Sequence, residues 1–153
     1  MLFRSDRYLA YYAEAKSRRD LMAQRVLGST QYPESVATTW LVTIQRLGPL
    51  ARSILTLIGF LAPDDIPRSI VTEAGDFLRE GVLEMQPVNE QVEIETSAYA
   101  MDQALVELRG FSIVSLQQES LSVHRIVQSV QQDGLDEFAL KRWTERAVRA
   151  VNA

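Results

Sequence analysis

The chain contains no cysteine. That excludes disulfide staples and thiolate chemistry, and it removes the ligand on which most small zinc sites depend. Histidine occurs once, at position 124. A nucleophilic triad is therefore restricted to a serine served by that one imidazole, and no Gly-x-Ser-x-Gly signature is present. Glycine is unclustered, and no Gly-x-x-x-x-Gly-Lys-Ser/Thr loop occurs to cradle phosphates. No apolar run approaches the roughly 18 residues of a membrane span. The opening Met1-Leu2-Phe3-Arg4-Ser5-Asp6 lacks the basic flank and apolar stretch of a secretory signal. These absences predict a cytoplasmic chain that makes no membrane contact, holds no metal or cofactor by itself and is not an enzyme.

The length of 153 residues suits one domain with appendages. The net charge of −4 conceals an uneven distribution. Residues 1–31 hold six bases and three acids, a net of +3, whereas residues 62–107 hold eleven acids and two bases, a net of −9. The acidic middle reads either as a solvated loop or as a docking surface for a basic neighbour, with Glu90, Glu93 and Glu95 as its charges.

Helical periodicity dominates. Residues 5–27 read as one helix, capped by Ser5 or Asp6 and stopped by the turn residues of 28–33. Its apolar face (Leu9, Tyr12, Ala15, Leu21 and Met22) is patchy and needs a partner. Residues 35–47 read as a second helix with Ser35 as its N-cap. Val36, Trp40, Thr43, Ile44 and Leu47 share a face, and Trp40 is expected in the core. Pro49 suits the first turn of a third helix running to about Leu61, with Ala51, Ile54, Leu55, Ile58 and Leu61 facing inward. Ala62 to Pro67 is a tight connection, and Pro67 opens a short helix through Ile70 and Val71. Residues 73–96 carry a less clear pattern, in which Phe77, Leu78, Val82 and Leu83 fit the extension of a helix. Gln86 to Glu95 reads as an acidic loop.

From Ser97 a helix resumes, with Met101, Ala104, Leu105 and Leu108 on one side and Gly110 as a left-handed cap. Phe111 to Leu116 reads as a strand and Gln117 to Ser120 as a turn, so a hairpin follows. A helix from about Arg125 to Gln132, a break at Asp133-Gly134 and a last helix over 136–151 complete the chain. Leu140, Trp143, Ala147 and Val151 form the apolar side of that last helix. The expected fold is mainly α. Helix, helix, helix, then hairpin is the order of a winged helix: a helix-turn-helix core with a two-stranded wing, here flanked by N- and C-terminal helices.

Nucleic-acid binding is the first function to weigh for that order. The helix at 98–109 would do the base reading, yet it offers Asp102, Gln103, Glu107 and Arg109, a net charge of −1. The wing carries Glu119 and no Lys or Arg. Phosphate contacts need cations, so a nucleic-acid partner is not expected. His124 remains. At a hairpin-to-helix junction an imidazole either caps the following helix, fills a surface niche, or points outward to contact a phosphate. Backbone N–H groups at the same junction would assist the last role.

Several stretches then resemble one region of the STAND nucleotide-switch proteins, the segment after the NB-ARC domain in the branch that continues into tetratricopeptide repeats. Tyr32-Pro33-Glu34-Ser35-Val36-Ala37-Thr38-Thr39-Trp40 resembles that branch's entry into its winged helix, and Leu47 to Leu55 its second helix. Phe60-Leu61-Ala62-Pro63-Asp64-Asp65-Ile66-Pro67 is similar to a family turn, and Leu121-Ser122-Val123-His124-Arg125-Ile126-Val127-Gln128 to its closing motif. Tyr8-Leu9 resembles the end of the preceding helical domain.

The resemblance implies three parts. Residues 1–31 would close the helical domain and link onward, 32–133 would be the winged helix, and 134–153 would lead toward the repeats. Trp143 would pack on the wing side or begin the surface on which repeats stack. The resemblance also implies that His124 contacts the β-phosphate of ADP held by the nucleotide-binding domain of an intact parent, which would bind ADP or ATP with Mg. Signalling of the innate-immune kind and homo-oligomerisation on activation are implied as well. Arg125 stands where the receptors of this class carry Asp after the histidine, and it would contact a phosphate or a neighbouring acid. A docking module and a DNA-binding regulator are the alternative functions.

Overall fold

The computed structural model describes residues 34–85 and 93–153. The expected helix over 5–27, the linker over 28–33, Gln86 to Val92 and hence Glu90 lie outside the described residues. Among the described residues there are seven helices and three short strands. In chain order these are α1 (Glu34–Gln45), α2 (Pro49–Ile58), β1 (Ile66–Pro67), α3 (Arg68–Glu73) and α4 (Gly75–Met85). They are followed by α5 (Ala98–Gly110), β2 (Val114–Leu116), β3 (Ser120–Val123), α6 (Arg125–Asp133) and α7 (Glu137–Asn152).

The centre of the core is α2. Pro49 occupies its first turn as expected, where a missing N–H costs nothing. The preceding Gly48 N–H donates to Glu107 Oε1 of α5 at 2.7 Å. From Ser53 to Ile58 every residue is buried, because α2 packs against α4, α5, α6 and α7 on all sides. A helix surrounded in this way buries its polar side chains too, and each finds a partner. Ser53 Oγ donates to Leu78 O at 2.9 Å, and Thr56 Oγ1 to Arg52 O at 2.8 Å. The helix stops at Ile58 rather than Leu61: Gly59 N–H still reaches Leu55 O, but Phe60 and Leu61 turn away through tighter bonds to Leu57 O and Ile58 O.

The turned-out end leaves carbonyls without helical partners. Two glutamines of α6 supply donors to them, and a third reaches a buried hydroxyl of α2. Gln128 Nε2 donates to Ile58 O (2.9 Å) and Leu61 O (2.8 Å), and Gln132 Nε2 to Gly59 O (2.6 Å). Gln131 Nε2 donates to Thr56 Oγ1 at 2.7 Å. Gln128 and Gln131 are buried with Val127 and Val130, so α6 closes the end of α2 with one mixed face.

The hairpin forms where the sequence placed it, but its first strand covers only Val114–Leu116. The sheet has three strands, not two: the order is β1-β3-β2, all antiparallel. Ile66 pairs with Leu121 and Pro67 with Ser120. Pro67 cannot donate to a ladder, and it lies on the sheet edge, where that deficit is harmless. A two-residue strand carries no period, which is why the sequence reading shows only a connection there. Gly110 is not the left-handed cap of α5. That position belongs to Ser112, at φ 58°. Ile113 N–H donates to Leu108 O and Ser112 N–H to Arg109 O, the paired bonds of a Schellman stop, with buried Ile113 and Leu108 joining beneath it.

At the other end, α7 begins with Asp136 capping Ala139 N–H at 2.7 Å. Its buried side is Trp143, Arg146, Ala147 and Ala150, whereas Val151 is 53% exposed, contrary to the expected apolar face. Trp143 lies against α4, not the wing. A Cβ at Gly81 would come 2.5 Å from Trp143 Cζ2 and nearer still to Cη2. The Arg146 guanidinium lies 4.7 Å from the Trp143 ring centroid. Glu84 Oε1 accepts from both Arg146 Nη2 and Arg142 Nη2, the latter at 2.6 Å. Partial burial pushes the Glu84 carboxyl up, but the hydrogen bonds and charges of Arg146 and Arg142 outweigh it and hold the group below its ordinary value.

Two outcomes follow from the packing of α4 on α7. Helix propensity alone favours Gly81→Ala by about 1 kcal/mol. Overpacking against Trp143 reverses the sign, and urea unfolding should show a loss of about 1–3 kcal/mol. Because the folded Glu84 carboxyl is depressed, its contribution is present above the unfolded-state value and disappears as pH falls through the folded one. Glu84→Gln should therefore lower the thermal midpoint near pH 7, and the gap from wild type should close toward pH 3.

Candidate functional site

His124 lies between β3 and α6, in extended backbone at φ −67° and ψ 129°. Its backbone is pinned on both sides. The N–H donates to Ile113 O at 3.3 Å, and the carbonyl accepts from Gln128 N–H at 3.1 Å. Its side chain caps α6: Nδ1 accepts from Ile126 N–H at 3.2 Å. An imidazole nitrogen that accepts carries no proton, so the neutral ring bears its hydrogen on Nε2. The side chain is exposed, so that donor is available to a ligand. Capping and outward presentation are thus properties of one geometry. They are not rival explanations of the residue.

Arg125 follows at the first position of α6 and is also exposed. Its Nη2 is 4.0 Å from Asp64 Oδ2, with the two side chains 80% and 72% exposed. An ion pair that open contributes little to stability. Asp64 reaches this point because Asp65 takes a left-handed turn at φ 54°, one of the few conformations that Asp tolerates better than most residues. The neighbouring Val123 N–H donates to Pro63 O at 2.8 Å, which ties this turn to β3. Trp40 completes the surroundings. It is half-buried where the sequence reading places it in the core, and its ring centroid lies 6.3 Å from that of His124 at 34°.

The site can do a limited set of things. One imidazole N–H, one mobile guanidinium and the free N–H groups of a helix start can hold an anionic oxygen. Among the described residues no group of three or more His, Asp or Glu side chains could hold a metal ion. The other proposed surface residues lie elsewhere. Glu93 is exposed, and Glu95 accepts from Ser97 Oγ at 2.7 Å. Both line an open polar depression with Arg79 and Thr96. On α5, Tyr99 and Val106 are exposed on the solvent side, and Asp102 faces Arg68 at 3.5 Å. No described helix is long and apolar enough to cross a membrane.

Sequence reasoning did not bring out Trp40, Asp64 or the three glutamines as neighbours of this junction. A signal for the glutamines exists. Val127-Gln128 and Val130-Gln131 repeat at a three-residue spacing, which places both amides beside the buried valines.

By architecture this is a mainly helical protein with a small three-stranded antiparallel sheet. The chain belongs to the family described as a domain of unknown function, DUF7779, whose profile matches residues 42–140. That span takes in the last turn of α1, the whole sheet, the His124 junction and the start of α7. No curated protein and no solved structure matches the chain significantly.

The cap makes a direct expectation about stability. His124→Ala removes the acceptor for Ile126 N–H and should cost about 1 kcal/mol in urea unfolding. His124→Ser keeps a capping oxygen and should stay within about 0.5 kcal/mol of wild type.

Proposed function

We propose that this chain is the regulatory winged-helix segment of a STAND-class signalling NTPase, and that it relays the ADP or ATP state of a nucleotide-binding domain to a tetratricopeptide-repeat sensor. Support for the fold comes from element order and pairing. α2, β1, the short helices α3 and α4, then α5 and the β2–β3 hairpin follow one another as in a winged helix, and β1 closes onto the hairpin through β3. The role does not follow from the fold. It rests on one observation: the exposed His124 caps α6 through Nδ1, which leaves Nε2–H as the ring's donor.

An oriented N–H donor suits a terminal phosphate of ADP held by the nucleotide-binding domain of an intact parent. Such a charge-assisted bond is worth about 1.5–3 kcal/mol. Made in only one nucleotide state, it shifts the closed–open equilibrium by about 10- to 150-fold. Arg125, paired with Asp64 across 4.0 Å of solvent-exposed space, is the cation that an incoming phosphate would recruit. In this reading the chain is a cytoplasmic relay and not itself an enzyme. ADP or ATP with Mg belongs to the partner domain, and assembly into homo-oligomers follows activation. Base reading is disfavoured by the α5 surface, where Asp102 is exposed and Tyr99 and Val106 occupy the solvent side.

The deciding experiment uses the intact parent protein. His124→Ser preserves the helix cap but cannot reach the phosphate. It should release ADP about tenfold faster or more and raise basal activation. ADP release at the wild-type rate would sink the phosphate-contact role.

A further inference from the structure

The cap on α6 does not by itself explain how an exposed imidazole stays oriented. The Nδ1 to Ile126 N contact is 3.2 Å, at the long end of the hydrogen-bond range. A bond that long yields easily, and rotation about the side-chain torsions would then swing the ring into water. Arg125 and Asp64 are too exposed to act as a wall. Trp40 is different. It packs against the core cluster, and its helix is anchored by Ala37 and Ile44, which are almost fully buried. Its ring meets His124 at 6.3 Å and 34°, within the roughly 4.5–7 Å range in which aromatic rings attract.

We propose that Trp40 is the positioning residue of the His124 imidazole: the indole of α1 braces the ring against the start of α6 and keeps Nε2–H facing out. This rests on the reading of His124 as an outward phosphate contact. The bond that α6 provides selects the tautomer, and the indole holds the ring where that bond can form. It also ties the sensor to α1, the element directly preceded by the basic N-terminal segment. A displacement of α1 relative to α6 would release the imidazole without any change at the phosphate.

The histidine is unique in the chain, so its imidazole nitrogens give one unambiguous pair of resonances. Two-bond proton–nitrogen correlation spectra of the ¹⁵N-labelled chain at pH 8 read which nitrogen carries the proton. Wild type should show the hydrogen on Nε2. Trp40→Phe retains an aromatic wall and should keep that ratio. Trp40→Ala should lower the ratio of Nε2–H to Nδ1–H severalfold and speed amide exchange at Ile126 about fivefold. The emission of buried Trp143 reports whether the variant is folded. If Trp40→Ala does not fold, Trp40→Leu, which fills the space without a planar face, takes its place with the same expectation. A wild-type ratio in the folded Ala or Leu variant overturns the proposal, as does an equal loss in Trp40→Phe. ADP release in the His124→Ser parent tests the phosphate reading separately, and its outcome leaves the tautomer ratio untouched.

Discussion

The structure depends on how the end of α2 is satisfied. A helix enclosed on all sides gains much of its stability from burial, at about 1.5–3 kcal/mol for each large apolar side chain removed from water. Enclosure also strands its last carbonyls away from solvent, and each unpaired one costs about 1–3 kcal/mol. Here amide side chains from a helix some seventy residues later resolve the conflict: Gln128 bridges Ile58 O and Leu61 O, and Gln132 takes Gly59 O. Leucine at those positions would add apolar area but remove the amide donors to Gly59 O and Leu61 O and leave Ile58 O with the Leu61 N–H alone. The buried polar face of α6 is what permits α2 to be central.

The same constraint places the candidate site. Once the glutamines fix the rotation and height of α6 on α2, the first turn of α6 is fixed as well. β3 must deliver the chain to that point. Its backbone is held from one side by β2 and from the other by β1 and Pro63. His124 inherits its position from both directions, through Ile113 O before it and Gln128 N–H after it. The stop of α5 contributes too, since the left-handed turn at Ser112 sends Ile113 inward and starts β2 in the right register. A surface residue so thoroughly determined by buried contacts is suited to carrying information between the core and a neighbour.

Charge divides the molecule in a way that bears on partners. The α5 surface that a nucleic-acid reader would use offers tyrosine, valine and a carboxylate. The His124 junction instead joins a helix start to an exposed guanidinium. The two surfaces suit opposite ligands. The anion-favouring one is small, and a single imidazole with one arginine would hold a phosphate weakly unless a second domain supplied the rest of the cradle.

Much of the fold was legible in the sequence. Local rules govern the apolar periods of α2, α5 and α7, the Pro49 start, the helix start after Ser97 and the hairpin, and each is visible within a few residues. The junction position of His124 was legible for the same reason. What the sequence could not display are relations between distant segments. Pro67 as an edge strand depends on Ser120, the partial exposure of Trp40 on where α6 crosses α1, the seat of Trp143 on the gap left by Gly81, and the burial of Arg146 on that indole and a glutamate in α4. Periodicity says which side of an element avoids water. Only three-dimensional packing decides which element covers it, because burial energy has no direction and the hydrogen bonds that supply direction join residues far apart in the chain.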